Sequence, residues 1–269
     1  MSRRPGRTTL ALALAMLAFV LFGMARVTAP VSAIGVLFDQ PEGFAVVAAI
    51  TSLIGAVLLF VRPIELRVAR LLGTNARPPS EDESARLDRL LDGPCGQAGI
   101  KRERLIVNVE ENPGVNASAG AAHLLFVTTG ALALDDDTLE AVLAHELGHH
   151  NGLHPVLTAI VWWLRLPGVV LGAGFAFLRR LVRIRLLVLL VTIWQATVMW
   201  VFWLGDLLAM RASRLSEFEA DRNAARWGYA QQLAQSLEAL PDPGVPPGFG
   251  GRLMATHPPL EERIERLSG

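Results

Sequence analysis

The chain alternates between long apolar runs and stretches of mixed polarity. Residues 8–25, 43–61 and 186–205 contain no charged side chain, and residues 155–178 contain only Arg165. Each run approaches or exceeds the roughly 18–20 apolar residues that cross a bilayer as a helix. Between the runs the periods shorten. Residues 80–91 open with Ser80, Glu81, Asp82 and Glu83, a composition that suits a helix N-terminus. Residues 105–109 (LIVNV) and 123–129 (HLLFVTT) are β-branched apolar runs bounded by Asn, Pro and Gly, and they predict strands. Asp137 with Glu140 three residues on predicts a capping box. It opens a helix through His150 with Leu139, Val142 and Leu143 on its apolar stripe. A later helical stretch ends near Gly228. After Pro258-Pro259, the positions Leu260, Ile264 and Leu267 trace one face of a short helix.

Composition turns this pattern into an organisation. Of 269 residues 52% are hydrophobic, while 25 basic residues balance 25 acidic ones. That excludes a disordered chain and an electrostatic nucleic-acid binder, so no nucleic-acid partner is expected. The single cysteine, Cys95, excludes a disulfide framework; between Gly93-Pro94 and Gly96 it reads as part of a turn. Arg165 is the one charge inside the four apolar runs, so the remaining residues carry the charge density of an ordinary soluble domain. Residues 1–78 therefore read as an N-terminal membrane hairpin with transmembrane segments at 8–25 and 43–61. Residues 79–269 read as a soluble domain interrupted by a second membrane hairpin, 155–178 and 186–205.

Charge placement orients the chain. Arg3, Arg4 and Arg7 precede the first run, which is either a retained membrane helix or a signal peptide cleaved near Ala29 or Ala33. In both cases Arg62, Arg67, Arg70 and Arg77 follow the second run and place the soluble domain on the cytoplasmic side. The second hairpin has four arginines at its tip, 179–185. Arg165 in its first arm adds about 2.5–3.5 kcal/mol against insertion, so whether this hairpin crosses stays open. Trp162, Trp163, Trp194, Trp200 and Trp203 anchor or pack membrane helices.

The chemistry concentrates at His145-Glu146-Leu147-Gly148-His149. On a helix, residues i and i+4 share a face, so two imidazoles can chelate one ion. The glutamate between them can reach the water that attacks a peptide carbonyl. A catalytic zinc takes three protein ligands and keeps a fourth position open. Two candidates compete for the third. His154 comes one residue too early for a metzincin pattern, with Pro155 in the ligand position. Glu217 lies on a later helical stretch and shares its face with Asp221, which allows Glu217 to ligate and Asp221 to support a histidine. Glu217 is the favoured ligand. His123, His150 and His154 lack converging ligands; His123 reads as structural, and His150 and His154 read as surface residues or as supports behind the ligands.

These segments, in order, resemble the HtpX-like and CAAX prenyl protease-like membrane zinc metallopeptidases. The matching residues are Asn116-Ala117 ahead of HLLFVTTGAL, then AVLAHELGHH, then SRLSEFEADRNAARWG and finally THPPLEERIERL. The resemblance implies an α+β fold, a mainly helical gluzincin-type zinc peptidase domain with a small sheet, plus transmembrane helices. It implies one Zn2+ per chain on His145, His149 and Glu217, and Glu146 as the catalytic acid/base. It further implies that the strand at Asn116 and Ala117 binds an extended substrate by strand addition. His257 of the His-Pro pattern would approach the zinc, with Arg263 nearby. His257 stands between a loop rich in Pro and Gly (241–251) and a helix start. Its expected role is oxyanion donor or displaceable fourth ligand, with a structural cap as the bland alternative and Tyr229 as a competing donor.

The expected function is a multi-pass bacterial cell-membrane zinc endopeptidase acting on polypeptides, membrane proteins among them, in membrane protein quality control. One lysine against 24 arginines suggests a GC-rich bacterial genome. A non-catalytic zinc-binding sensor or scaffold and a prenyl-protein processing protease are the alternatives; an intact Glu146 argues against the first.

Overall fold

The computed structural model describes residues 38–71, 75–120, 122–150, 213–239 and 258–268, with single positions between them. The first apolar run, both cleavage-site motifs, His154, His257 and nearly all of the second membrane hairpin lie outside the described residues. The chain divides into two units, residues 1–57 with 159–212, and residues 58–158 with 213–269.

In the first unit, helix α1 (Pro41–Leu58) covers most of the second apolar run. Among the described residues it is the one helix long and apolar enough to cross a membrane. Val46, Val47, Ile50, Leu53, Ile54 and Val57 are all more than half exposed, the opposite of what a core helix in water would do. Trp163 donates its indole N–H to the Ser52 carbonyl at 3.1 Å, so this tryptophan packs against α1.

The second unit is mainly helical around a small mixed sheet. Its elements are α2 (Arg62–Leu71), β1 (Ala76–Arg77), α3 (Glu81–Ala98), a 3-10 turn (Arg102–Arg104), β2 (Ile106–Glu110), β3 (Ala117–Gly120), β4 (Leu124–Thr128), α4 (Thr129–Leu132) and α5 (Asp136–His150). A helix at residues 213–226, here α6, is followed by α7 (Ala230–Ala239) and α8 (Leu260–Ser268). The strands run in the order β1-β2-β4-β3. β2 and β4 are parallel, while β1 and β3 are antiparallel to their neighbours. β3 therefore forms one edge.

Helix α5 is the centre of the packing because it is buried on two faces. Leu139, Leu143 and Leu147, four residues apart, pack with Leu87 and Leu91 of α3 and Leu125 and Val127 of β4. Ala141 and Ala144 face Ala224, Leu233 and Leu237. Small alanines let α6 and α7 approach this side, while the leucines fill the wider space beneath the sheet.

Four local expectations need correction. α3 does not stop at Leu91 but runs through Pro94 to Ala98, ending at Gly99 with φ 68°. Pro in a helix interior costs about 3 kcal/mol, yet Leu87, Leu90, Leu91, Pro94 and Cys95 are all buried by the longer helix, and that packing outweighs the loss. Cys95 is thus a buried helical thiol whose pKa burial pushes up, not a turn residue. At α5 the capping side chain is Asp135, which accepts from Thr138 N at 2.9 Å; Glu140 instead accepts from the Tyr229 hydroxyl. Val142 is only half-buried, and Leu147 takes its place in the apolar stripe.

Candidate active site

The site is assembled from α5, α6, α8 and β3. In α5 the spacing of four residues brings the imidazoles of His145 and His149 together, with ring centroids 4.8 Å apart and nearly perpendicular. α6 brings Glu217 opposite them. One of its oxygens lies 3.6 Å from His145 Nε2 and the other 3.4 Å from His149 Nε2. Four-coordinate zinc with ligand distances of about 2.0–2.1 Å separates its ligand atoms by roughly 3.3 Å. A carboxylate that offers one oxygen to each imidazole nitrogen at close to this separation suits a metal ion shared among the three residues. All three residues are more than 90% buried or at that limit, which suits a site that must hold its ligands rigidly.

Behind the ligands stands a charged network. Asp221, one turn after Glu217, lies 2.9 Å from His145 Nδ1. Arg263 of α8 grips Asp221 with two hydrogen bonds of 2.8 and 2.7 Å and places another nitrogen 3.3 Å from Glu217. Burial disfavours charge on Asp221, but Arg263 and His145 more than compensate and hold its pKa below the usual range. Burial likewise opposes the His145 imidazolium, while Asp221 and Glu217 outweigh it and carry the pKa up to about 10. A ligating imidazole is neutral, so metal entry must displace that proton.

Glu146 sits between the histidines on the sheet side. Burial pushes its pKa above the usual carboxylate range, with the neighbouring imidazoles opposing. Its Oε2 accepts a hydrogen bond from Ala119 N at 2.8 Å. Ala119 belongs to β3, and in an antiparallel ladder alternate residues face the partner strand and the open side. Asn116 faces β4, accepting from Thr128 N at 3.0 Å. Ala117 and Ala119 consequently turn their backbone groups to the free edge, beside Glu146.

Of the residues singled out by sequence, the structure thus brings together His145, Glu146, His149, Glu217, Asp221, Arg263 and the Asn116–Ala117 strand. His257 and His154 fall outside the described residues. Tyr229 is turned elsewhere, donating to Glu140 at 2.7 Å. Sequence reasoning missed Gly148. A Cβ there would stand 2.8 Å from Ala220 O and 2.9 Å from Ala220 Cα, so the glycine is what lets α5 and α6 touch backbone to backbone. Asn223 closes the same contact by donating to Gly148 O at 3.2 Å.

Known proteins show the family to which the chain belongs. The "Protease HtpX homolog" of Dictyoglomus thermophilum is 29% identical over 227 residues, 72% of this chain and 72% of its own length. The "Protease HtpX" of Shewanella pealeana is 29% identical over 209 residues, 64% of this chain and 69% of its own. The crystal structure of S. mikatae Ste24p superposes with a TM-score of 0.54 at 17% identity, covering 97% of this chain. The chain spans 64% of that protein's length, and the likeness concerns the fold. The sequence model of peptidase family M48 matches residues 81–269, the stretch that holds every converging side chain described above. The chain belongs to peptidase family M48 and is a metalloprotease, a hydrolase of peptide bonds.

Proposed function

We propose that the chain is a membrane-anchored zinc endopeptidase that holds one Zn2+ on His145, His149 and Glu217 and cleaves extended polypeptide segments, those of membrane proteins included. The observation that carries this reading is that Glu217 turns one carboxylate oxygen to each imidazole, 3.6 Å from His145 Nε2 and 3.4 Å from His149 Nε2, next to a buried carboxylate tied to a sheet edge. Zinc bound there would polarise the scissile carbonyl and acidify the attacking water. Everything else falls to the protein.

Glu146 takes the proton of the attacking water and delivers it to the leaving amine, so that water adds across the C–N bond and the proton count closes. A raised pKa suits a group that must both accept and return a proton. The substrate pairs with the free edge of β3 through Ala117 and Ala119, which sets its backbone beside Glu146. Because Ala119 N–H already bonds Glu146, strand docking and the orientation of the base are linked. Asp221 fixes the tautomer and orientation of His145, and Arg263 neutralises the buried carboxylates. His257, placed by its sequence motif, supplies the oxyanion donor or closes the resting site as a fourth ligand.

α1, with its exposed aliphatic side chains, supports anchoring in a bilayer, and the arginines after it favour a catalytic domain on the cytoplasmic side. The deciding experiment is Glu146→Gln in the full-length protein purified in detergent. It should retain about one zinc per chain and lose proteolysis of casein. A wild-type protein that binds zinc but cleaves neither casein nor itself would establish the sensor alternative.

A further inference from the structure

Before the edge strand β3 can dock a peptide, something must hold it in place. It is four residues long and paired on one side only. The turn that follows it carries an unusual fixture. Glu65 of α2 is 3% exposed, and its Oε1 accepts from both Ala122 N at 2.9 Å and His123 N at 3.0 Å. Its other oxygen lies 2.9 Å from His123 Nδ1. On the far side of the turn, Ile106 N of β2 donates to the His123 carbonyl at 2.7 Å.

A buried carboxylate is costly, and well-packed apolar residues are often as stable or more so. What it provides is direction: three hydrogen bonds onto two consecutive residues allow one orientation of the turn. Glu65 lies before residue 81, ahead of the segment that matches the family, and the three hydrogen bonds above run to the turn. Its influence runs along the chain instead, from the turn into β3 and from Ala119 N–H to Glu146.

We propose that Glu65 is a positioning residue for substrate binding: by clamping the β3–β4 turn it sets the register and angle of the strand on which the peptide docks. This rests on the reading of β3 as the docking strand. Removing the clamp should weaken substrate binding without emptying the metal site, whose ligands sit on α5 and α6.

The test uses the full chain with zinc bound and a fluorogenic peptide long enough to run along β3. In Glu65→Ala, KM should rise about 10-fold, the equivalent of one or two lost hydrogen bonds, with a smaller change in kcat. Zinc should stay at one per chain, and amide hydrogen exchange should quicken over residues 117–128 but not over 139–149. Glu65→Gln keeps the oxygen that accepts both backbone N–H groups and should recover most of the wild-type KM, whereas Glu65→Met fills the same space without accepting and should behave as the alanine variant. Should the alanine variant fail to hold zinc, Glu65→Asp carries the test, since it keeps the charge and shortens the reach; the same rise in KM is expected. Wild-type KM together with wild-type exchange in the folded variant overturns the proposal by itself. Faster exchange over 117–128 with unchanged KM refutes β3 as the docking strand, and the proposal falls with it.

Discussion

Replacing Gly148 by alanine tests whether the α5–α6 contact sets the metal geometry. Ordinarily alanine is the better helix residue, by about 0.5–1 kcal/mol, so on local grounds Gly148→Ala should stabilise α5. The tertiary structure reverses the sign. The new Cβ would meet Ala220 O at 2.8 Å and Ala220 Cα at 2.9 Å, both backbone atoms that cannot swing aside. Restoring an ordinary contact of about 3.4–4.0 Å requires the two helices to part by roughly 0.5–1 Å. Overpacking of this kind costs about 1–3 kcal/mol, which exceeds the propensity gain. The larger effect falls on the metal. Glu217 is on α6 and the two histidines on α5, so the same displacement opens the 3.4 and 3.6 Å ligand separations, while metal sites tolerate deviations of about 0.2 Å. Zinc affinity should fall at least about 10-fold, measured by competition with a chelating dye, and urea unfolding of the metal-free protein should show a loss of about 1–2 kcal/mol. Gly96→Ala is the control. Gly96 is also helical, but its Cβ would meet nothing within 4 Å, so that variant should gain up to about 1 kcal/mol and keep its zinc. A Gly148→Ala protein with wild-type zinc affinity and undiminished stability would refute the argument.

Two further outcomes follow from the ligand set and its protonation. Glu217→Ala should lose both zinc and peptidase activity, read by metal analysis and casein hydrolysis, while His154→Ala keeps both; the reverse result would restore the near-metzincin assignment. His145 is protonated in the metal-free site up to about pH 10, so zinc competes with one proton below that value. Apparent zinc affinity should rise about tenfold per pH unit from pH 7 to 9, and an affinity flat across that range would show that His145 is already neutral. The same shift has a stability sign. A pKa raised from 6.5 means His145 favours the folded metal-free protein most below pH 6.5, and that contribution disappears as pH rises toward 10.

Much of the site was legible because its parts are local. His145 and His149 are one helical turn apart, as are Glu217 and Asp221, and such spacings project side chains from a single face whatever the rest of the chain does. The apolar run that became α1, the acidic helix start at residues 80–83 and the two strand cores were readable for the same reason: each is a pattern within one element. Where the reading failed locally, packing had overridden propensity. α3 continues through Pro94 because its lower face is buried, and Asp135 rather than Asp137 caps α5 because the helix begins two residues earlier than that cap implies, at Asp136.

What only the tertiary structure decided are contacts between groups far apart in sequence. That α6 stands opposite α5 depends on Gly148 meeting Ala220, and Arg263 reaches a histidine 118 residues away. Glu65 clamps a turn 58 residues downstream, and nothing in its own helix marks it, since a single glutamate after an apolar segment looks like any surface charge. The edge position of β3 was likewise undecidable from the composition of residues 117–120, which include two alanines and a glycine; it follows from the β1-β2-β4-β3 order. Sequence alone thus determined which residues share one helix face, because periodicity is a property of neighbours. Distances between elements, and with them the separations of the candidate ligands and the alignment of β3, were decided by close packing of surfaces that the chain brings together only on folding.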